Sequence, residues 1–186
     1  MILDNLLMFT GTSNGASAGI TLGANTDRPT TGTQVLSNVI DLHMACLPVL
    51  ANLQGARDIG IGDDPAIKIL MIVTTAFGGG TDMTLTLQGA PDNGSGVAGS
   101  YVSWWATPTY TAAQLVAGAR LMDMDMPRPP AAVSVPRFLQ IQTVCNGTFT
   151  SGALEACLVL DRHDQMYQST KNSVLGGYPP GITIPN

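Results

Sequence analysis

The 186-residue chain has 11% charged residues, a net charge of −5 and 21 glycines, against a charged share of about 25% in ordinary soluble domains. Its eight Lys and Arg residues are scattered, so no basic stripe exists to neutralise phosphates, which excludes a conventional nucleic-acid binder. No apolar run approaches the roughly 18 residues of a membrane-spanning helix, and no basic segment precedes an apolar one in the manner of a secretory signal.

Residues 1–9, MILDNLLMF, are mostly apolar and read as an edge strand or a docking arm, with Leu6, Leu7 and Phe9 as candidate interface residues. The polar stretch 10–33 reads as a long loop, so 1–33 forms an N-terminal arm and loop. QVLSNVIDL (34–42) is a strand candidate anchored by Val35, Val39 and Ile40. HMACLPVLANLQGA (43–56) is apolar and broken by Pro48; it reads as a loop closing the end of a sandwich or a partner-facing insertion, with Leu47 and Leu50 as contacts. ARDIGIGDDP (56–65) gathers one arginine and three aspartates around two glycines.

AIKILMIVTTAF (66–77) is a near-continuous apolar and β-branched run, the pattern of a strand buried on both faces. GGGT (78–81) is expected to end it. DMTLTLQGA (82–90) then alternates strictly, Met83, Leu85 and Leu87 against Thr84, Thr86 and Gln88, as a half-buried strand does. A glycine-rich loop (91–100) leads to the aromatic strand YVSWWATPTY (101–110).

TAAQLVAGARL (111–121) is the best short helix, with capping-box spacing of Thr111 and Gln114 and Gly118 at its end. RFLQIQTVC (137–145) is half-buried; Asn146-Gly147 and Ser151-Gly152 are turn candidates; ALEACLVLD (153–161) is expected to return as the partner strand. The tail from Asn172 carries three prolines and reads as an extended arm, with Tyr178 as a candidate contact.

Six to eight short strands with at most short helical turns give an all-β fold, an antiparallel β-sandwich of jelly-roll type with extended N- and C-terminal arms. The sandwich spans 34–168, and 169–186 is the C-terminal arm.

Chemistry is hard to place on this chain. The only imidazoles are His43, in the apolar insertion, and His163, at a charged strand end. Neither sits in a nucleophile, zinc or redox motif. Gly60-x-Gly62 lacks the third glycine and the βαβ setting of a dinucleotide site. Asp63 and Asp64 lack the remaining oxygen ligands of an EF-hand. Arg57, Asp58, Gly60 and Gly62 therefore read as a structural corner turning the backbone into the next strand. No catalytic residue, metal or cofactor is expected.

Alternation puts Cys145 on the face of Leu139 and Ile141, and Cys157 with Glu155, opposite Leu154 and Leu158. With Cys46 they read as three free thiols of a chain made in a reducing cytoplasm. The neighbours Trp104 and Trp105 point to opposite faces of a regular strand, one into the core and one outward. The outward ring is an interface anchor or, alternatively, a sugar-stacking platform of a carbohydrate- or receptor-binding module.

SNVIDL (37–42), RDIGIGDD (57–64), VAGARL (116–121), RFLQIQ (137–142), GTFTSGALEA (147–156) and VLD (159–161) occur in this order. The ordered set resembles the tailed-bacteriophage capsid cement, or decoration, proteins typified by the Bordetella phage cement protein. The resemblance spans roughly 34–165. It implies a non-enzymatic jelly roll on the outer surface of the virion, bound to an HK97-type major capsid protein and bracing capsomers as a homo-oligomer, a dimer or a trimer. The connections 10–33 and 43–56 are longer than that family's pattern. Low charge and apolar segments suit the same task, because a cement protein must offer weakly charged surfaces to several neighbours.

Overall fold

The computed structural model describes residues 7–11, 26–42, 67–127, 130, 136–159, 166–168 and 173–175. Its strands are β1 (Gly32–Val35), β2 (Ile40–Asp41), β3 (Lys68–Ala90), β4 (Val102–Ala106), β5 (Tyr110–Thr111), β6 (Arg120–Asp125), β7 (Phe138–Val159), β8 (Met166–Gln168) and β9 (Ser173–Leu175). β1 to β7 form one seven-stranded sheet, and β8 pairs with β9 alone. Every strand pairing is antiparallel. The all-β expectation holds. β1 to β7 pair as one folded sheet, in which a jelly-roll connection order is not seen among the described residues.

Two strands dominate. β3 has 23 residues and β7 has 22, and they pair from Lys68↔Val159 to Ala90↔Phe138. Straight, each would run about 75 Å at ~3.3 Å per residue. With no helical layer among the described residues, a sheet of that length can cover its apolar face by folding on itself. Side chains from both ends accordingly share one core: Ile69, Met71 and Val73 join Met83, Leu85 and Leu87 from β3, and Leu139, Ile141 and Cys145 join Leu154, Ala156 and Leu158 from β7.

The fold line lies where the sequence carries its turn signals, and this corrects two expectations. GGGT does not end a strand, and Asn146-Gly147 and Ser151-Gly152 do not close a hairpin. Both strands run through these positions, and the ladder loses register four times between Val73 and Asp82. Residues 153–159 therefore pair with the start of β3, not with 138–145. Gly80 lies opposite Gly147 across the ladder and Gly78 opposite Ser151, next to Gly152, so both strands bend together.

Aromatic rings occupy the space the glycines leave. A Cβ on Gly80 would lie 2.6 Å from the Phe149 ring, and one on Gly152 would lie 2.3 Å from the Phe77 ring. Gly152 also has φ 126°, a backbone that side-chain-bearing residues adopt only under strain. Phe77 and Phe149 meet edge to face, with centroids 5.3 Å apart at 79°, an arrangement worth about 0.5–1.5 kcal/mol beyond area burial. Each phenylalanine covers the glycine of the opposite strand.

The fold line divides the sheet into two halves. In the proximal half, residues 68–75 of β3 lie between residues 153–159 of β7 and strand β6. In the distal half, residues 82–90 of β3 are flanked by β4 and β5 and by residues 138–146 of β7, which carry β1 and β2 on their far side.

The helix expected over 111–121 reduces to a 3-10 turn, Ala112–Gln114. Gln114 Oε1 does accept the Thr111 N–H at 2.9 Å, as the spacing implied. Beyond it the backbone serves the sheet: Phe77 donates to the Leu115 carbonyl, Gly118 donates to the Val73 carbonyl, and Val73 donates to the Ala119 carbonyl. Those bonds replace the i→i+4 ladder a helix needs.

Candidate interaction surface

The two halves present different outer faces. On the proximal half, Leu70, Cys157 and Val159 point away from the main core yet are buried, forming a second cluster with Met8 against which Ile72 packs. Glu155 on the same side is 4% exposed. The run ILMIV (69–73) is thus apolar throughout because both of its faces are covered.

The distal outer face is nearly free of charge and accessible over its first two rows, whereas Gln88 and Gln140 in the third are buried. Thr33, Val144 and Thr84 lie in register across β1, β7 and β3; Val35, Gln142 and Thr86 form the next row, continued by Ala106; Gln140, Gln88 and Ser103 form a third. Gln140 Nε2 donates to Gln88 Oε1 at 2.7 Å, and Gln88 Nε2 donates to Gln142 Oε1 at 3.2 Å. The Thr84 and Thr109 hydroxyls share a hydrogen bond at 3.0 Å. Val35 is 46% exposed and Val144 37%. At the margin, Asp82 accepts from Asn146 Nδ2 at 2.7 Å; it is the one charged residue in these rows.

Of the apolar anchors expected in 34–42, Ile40 holds, while Val35 and Val39 are corrected. Val35 and Val39 are exposed, whereas Leu36, Ile40 and Leu42 are buried. The reason is a break between β1 and β2. Ser37 donates from its N–H and its Oγ to the Asp27 carboxylate, each at 2.5 Å, and Asn38 donates to the Phe9 and Thr10 carbonyls.

Ordered polar residues pin this half at its ends. Arg137 holds Asp41 bidentately, Nε to Oδ1 at 2.9 Å and Nη2 to Oδ2 at 2.8 Å, and reaches Asp92 Oδ2 through Nη1 at 2.5 Å. Its guanidinium also lies 4.9 Å from the centroid of the Phe138 ring. The other Asp92 oxygen accepts the Gly94 and Gly96 N–H groups at 2.8 and 2.9 Å. The Gly94 hydrogen bond, ahead of the opposing effect of burial, holds the Asp92 carboxyl below its ordinary range, and Gly96 and Arg137 add to it. The two carboxylates keep the Arg137 guanidinium firmly protonated. One arginine therefore ties β2, the 91–99 loop and the start of β7 together.

Sequence reasoning missed this clamp. Its signal is visible in hindsight: Asp41 and Arg137 are lone charges inside two of the motifs that carry the resemblance, SNVIDL and RFLQIQ.

The two tryptophans also depart from expectation. A β-bulge at Leu87/Gln88 pairs Trp105 with Leu87 and Ser103 with Gln88, leaving Trp104 as the extra residue. Both rings pack against the main core instead of facing opposite ways. A Cβ on Gly89 would lie 2.4 Å from the Trp104 ring, so that ring rests on the backbone of β3. Trp104 Nε1 is buried without an acceptor among the described residues.

Phe9, expected at an interface, is fully buried in the chain's own core, and Leu7 packs beside it half-buried. The Phe9 N–H donates to the Ala156 carbonyl at 2.8 Å, and Met8 bridges Cys157. Residues 7–11 thus belong to the sheet and do not project as an arm. Cys145 lies in the main core and Cys157 in the second cluster, both as free thiols on the faces alternation assigned. Burial, reinforced by the Glu155 charge, pushes the Cys157 thiol up to about 12.

Leu6, Leu47, Leu50, Tyr178, His43, His163, Cys46 and the corner of Arg57, Asp58, Gly60 and Gly62 lie outside the described residues. Among the described residues no three His, Cys, Asp or Glu side chains gather as a metal-ligand set. A cleft of about 160 Å³ beside Asp27, Arg28 and Gln34 is smaller than the ~300 Å³ at which ligand pockets begin. No described helix is long and apolar enough to cross a membrane.

The profile of the Bbp16 family matches residues 25–158. The chain belongs to the Bbp16 family. This is a Bordetella phage protein family, in agreement with the resemblance read from the ordered motifs, and membership places the chain among phage structural proteins. The match begins just before Asp27, which exchanges both backbone hydrogen bonds with Leu154, and ends at Leu158, a core residue near the end of β7. It therefore covers the folded sheet itself. No curated protein matches the chain.

Proposed function

We propose that this Bbp16-family chain is a capsid cement protein that binds the outer surface of an HK97-type shell and braces neighbouring capsomers, as a homo-oligomer and without catalysing a reaction or holding a cofactor. The observation that carries the reading beyond family membership is the distal outer face. Four strands present a Thr, Gln and Val surface whose one charged residue, Asp82, is at its margin, and the chain as a whole carries −5. A neutral sheet face can approach a protein partner without desolvating charges.

The size of the face explains why an oligomer serves this role. Four strands at ~4.8 Å spacing and three rows of side chains at ~6.8 Å cover at most roughly 400 Å², half of the ~800 Å² that each partner gives to a standard interface. One such contact is weak, and linked copies raise the avidity.

The carbohydrate-binding alternative loses its support, because both tryptophan rings pack on the chain's own core.

A reconstruction of the parent particle tests the proposal: the chain should lie on the outer shell with Thr86, Gln142 and Val144 against capsid protein. Val144→Asp and Thr86→Arg should abolish shell binding with unchanged melting temperature. Wild-type binding by both variants would overturn the assignment of the face, and absence of the chain from the shell would overturn the function.

A further inference from the structure

The chain holds three Asn-Gly dipeptides, and two of them, Asn93-Gly94 and Asn146-Gly147, lie among the described residues. In such a pair the glycine backbone nitrogen can attack the asparagine Cγ. Three things favour the step: an unhindered nitrogen whose proton has somewhere to go, a polarised side-chain carbonyl, and an amide free to leave. The two sites differ in the nitrogen and in the leaving amide.

Asn93 is exposed in the loop after β3. The Gly94 N–H points at Asp92 Oδ1, 2.8 Å away, which is placed to take its proton. Asn93 Oδ1 accepts the Ser95 N–H at 2.9 Å, a donor aimed at the oxygen that gains negative charge as Cγ becomes tetrahedral. Asn93 Nδ2 makes no hydrogen bond among the described residues, and a Cβ built on Gly94 would meet nothing within 4 Å.

Asn146 sits in the β7 ladder opposite Asp82, and its Nδ2 donates to Asp82 Oδ1 at 2.7 Å. A Cβ on the following Gly147 would lie 3.0 Å from Thr81 Oγ1. Its leaving group is tied and its nitrogen is crowded.

We infer that Asn93 is a self-modification site, at which the chain deamidates through a succinimide formed with the Gly94 nitrogen and assisted by Asp92 and the Ser95 N–H. The Gly94 N–Cγ bond forms, the Cγ–Nδ2 bond breaks, and the proton from Gly94 N leaves with the departing ammonia. Water then opens the ring at either carbonyl, giving aspartate or isoaspartate. The first adds a negative charge beside Asp92. The second also lengthens the backbone by one methylene between residues 93 and 94, which moves the Gly94 and Gly96 N–H groups off Asp92. Because Asp92 is one of the two carboxylates on Arg137, the change loosens the loop's tie to β7 with age.

The test is a time course on the purified full chain in mildly alkaline buffer, with peptide mapping by mass and isoaspartyl methyltransferase labelling. Asn93 should convert at least about tenfold faster than Asn146, a ratio corresponding to roughly one hydrogen bond on the leaving group. Equal rates, or faster conversion of Asn146, would overturn the inference. Asp92→Asn, verified as folded by circular dichroism, should slow Asn93 and leave Asn146 unchanged; an equal or faster rate at Asn93 would remove Asp92 from the step.

Discussion

The proximal and distal halves share the two longest strands and one core, yet they solve different problems. Proximal residues of β3 are apolar on both faces: Ile69, Met71 and Val73 fill the main core, while Leu70 packs with Cys157 and Val159 behind it. Distal residues alternate, with Met83, Leu85 and Leu87 inside and Thr84 and Thr86 half-exposed outside. The difference shows how one strand can be structural at one end and available to a partner at the other. Only the pattern of side chains changes as the strand crosses the fold line.

The largest expected effect comes from erasing the boundary between the halves. Gly152→Ala places a methyl group into the Phe77 ring at φ 126°, and the strain and overpacking should cost about 2–6 kcal/mol, read as a lower denaturation midpoint at unchanged slope. A loss under about 0.5 kcal/mol would show that the corner is adaptable. Next, matched truncations compare the outer faces. Leu70→Ala should cost about 2–5 kcal/mol, and Thr86→Ala should stay within about 0.5 kcal/mol. Similar losses at both positions would erase the distinction between a covered and an open face.

A smaller effect is expected at the distal clamp. Arg137→Ala leaves Asp41 and Asp92 without their shared cation and should speed amide exchange in 91–99 while the proximal half keeps its protection. The clamp also sets a pH dependence. The Asp92 carboxyl is held below its ordinary value of 3.8, so folding favours its ionised form. That contribution is fully present above the ordinary value and is lost as pH falls through the lowered one. Acid unfolding of the wild type should therefore lose part of its steepness in Asp92→Asn, and identical acid transitions would show that the clamp adds nothing.

The smallest expected effect is chemical. Cys157, raised to about 12 by burial, and Cys145, also raised by burial, should resist alkylation at neutral pH until the sheet opens. Native-state labelling of either would mean that its half opens locally.

Much of this was legible in the residues. The continuous run 66–77 and the alternation of 82–90 are direct records of how many faces each segment buries, so the all-β class, the doubly covered proximal strand and the half-buried distal strand follow from pattern. The opposite placement of Cys145 and Cys157 follows from the same period of two.

Tertiary structure alone decided the rest. Glycine runs signal a change of backbone direction without saying whether the chain reverses or bends. Here Gly80 and Gly152 receive Phe149 and Phe77 from the opposite strand, so the ladder turns as a pair and no hairpin forms. A one-residue bulge put Trp104 and Trp105 on one side, because alternation holds only while the register is unbroken. The joining of Asp41, Asp92 and Arg137 is likewise a product of strand register, which brings distant residues together for reasons no local stretch contains.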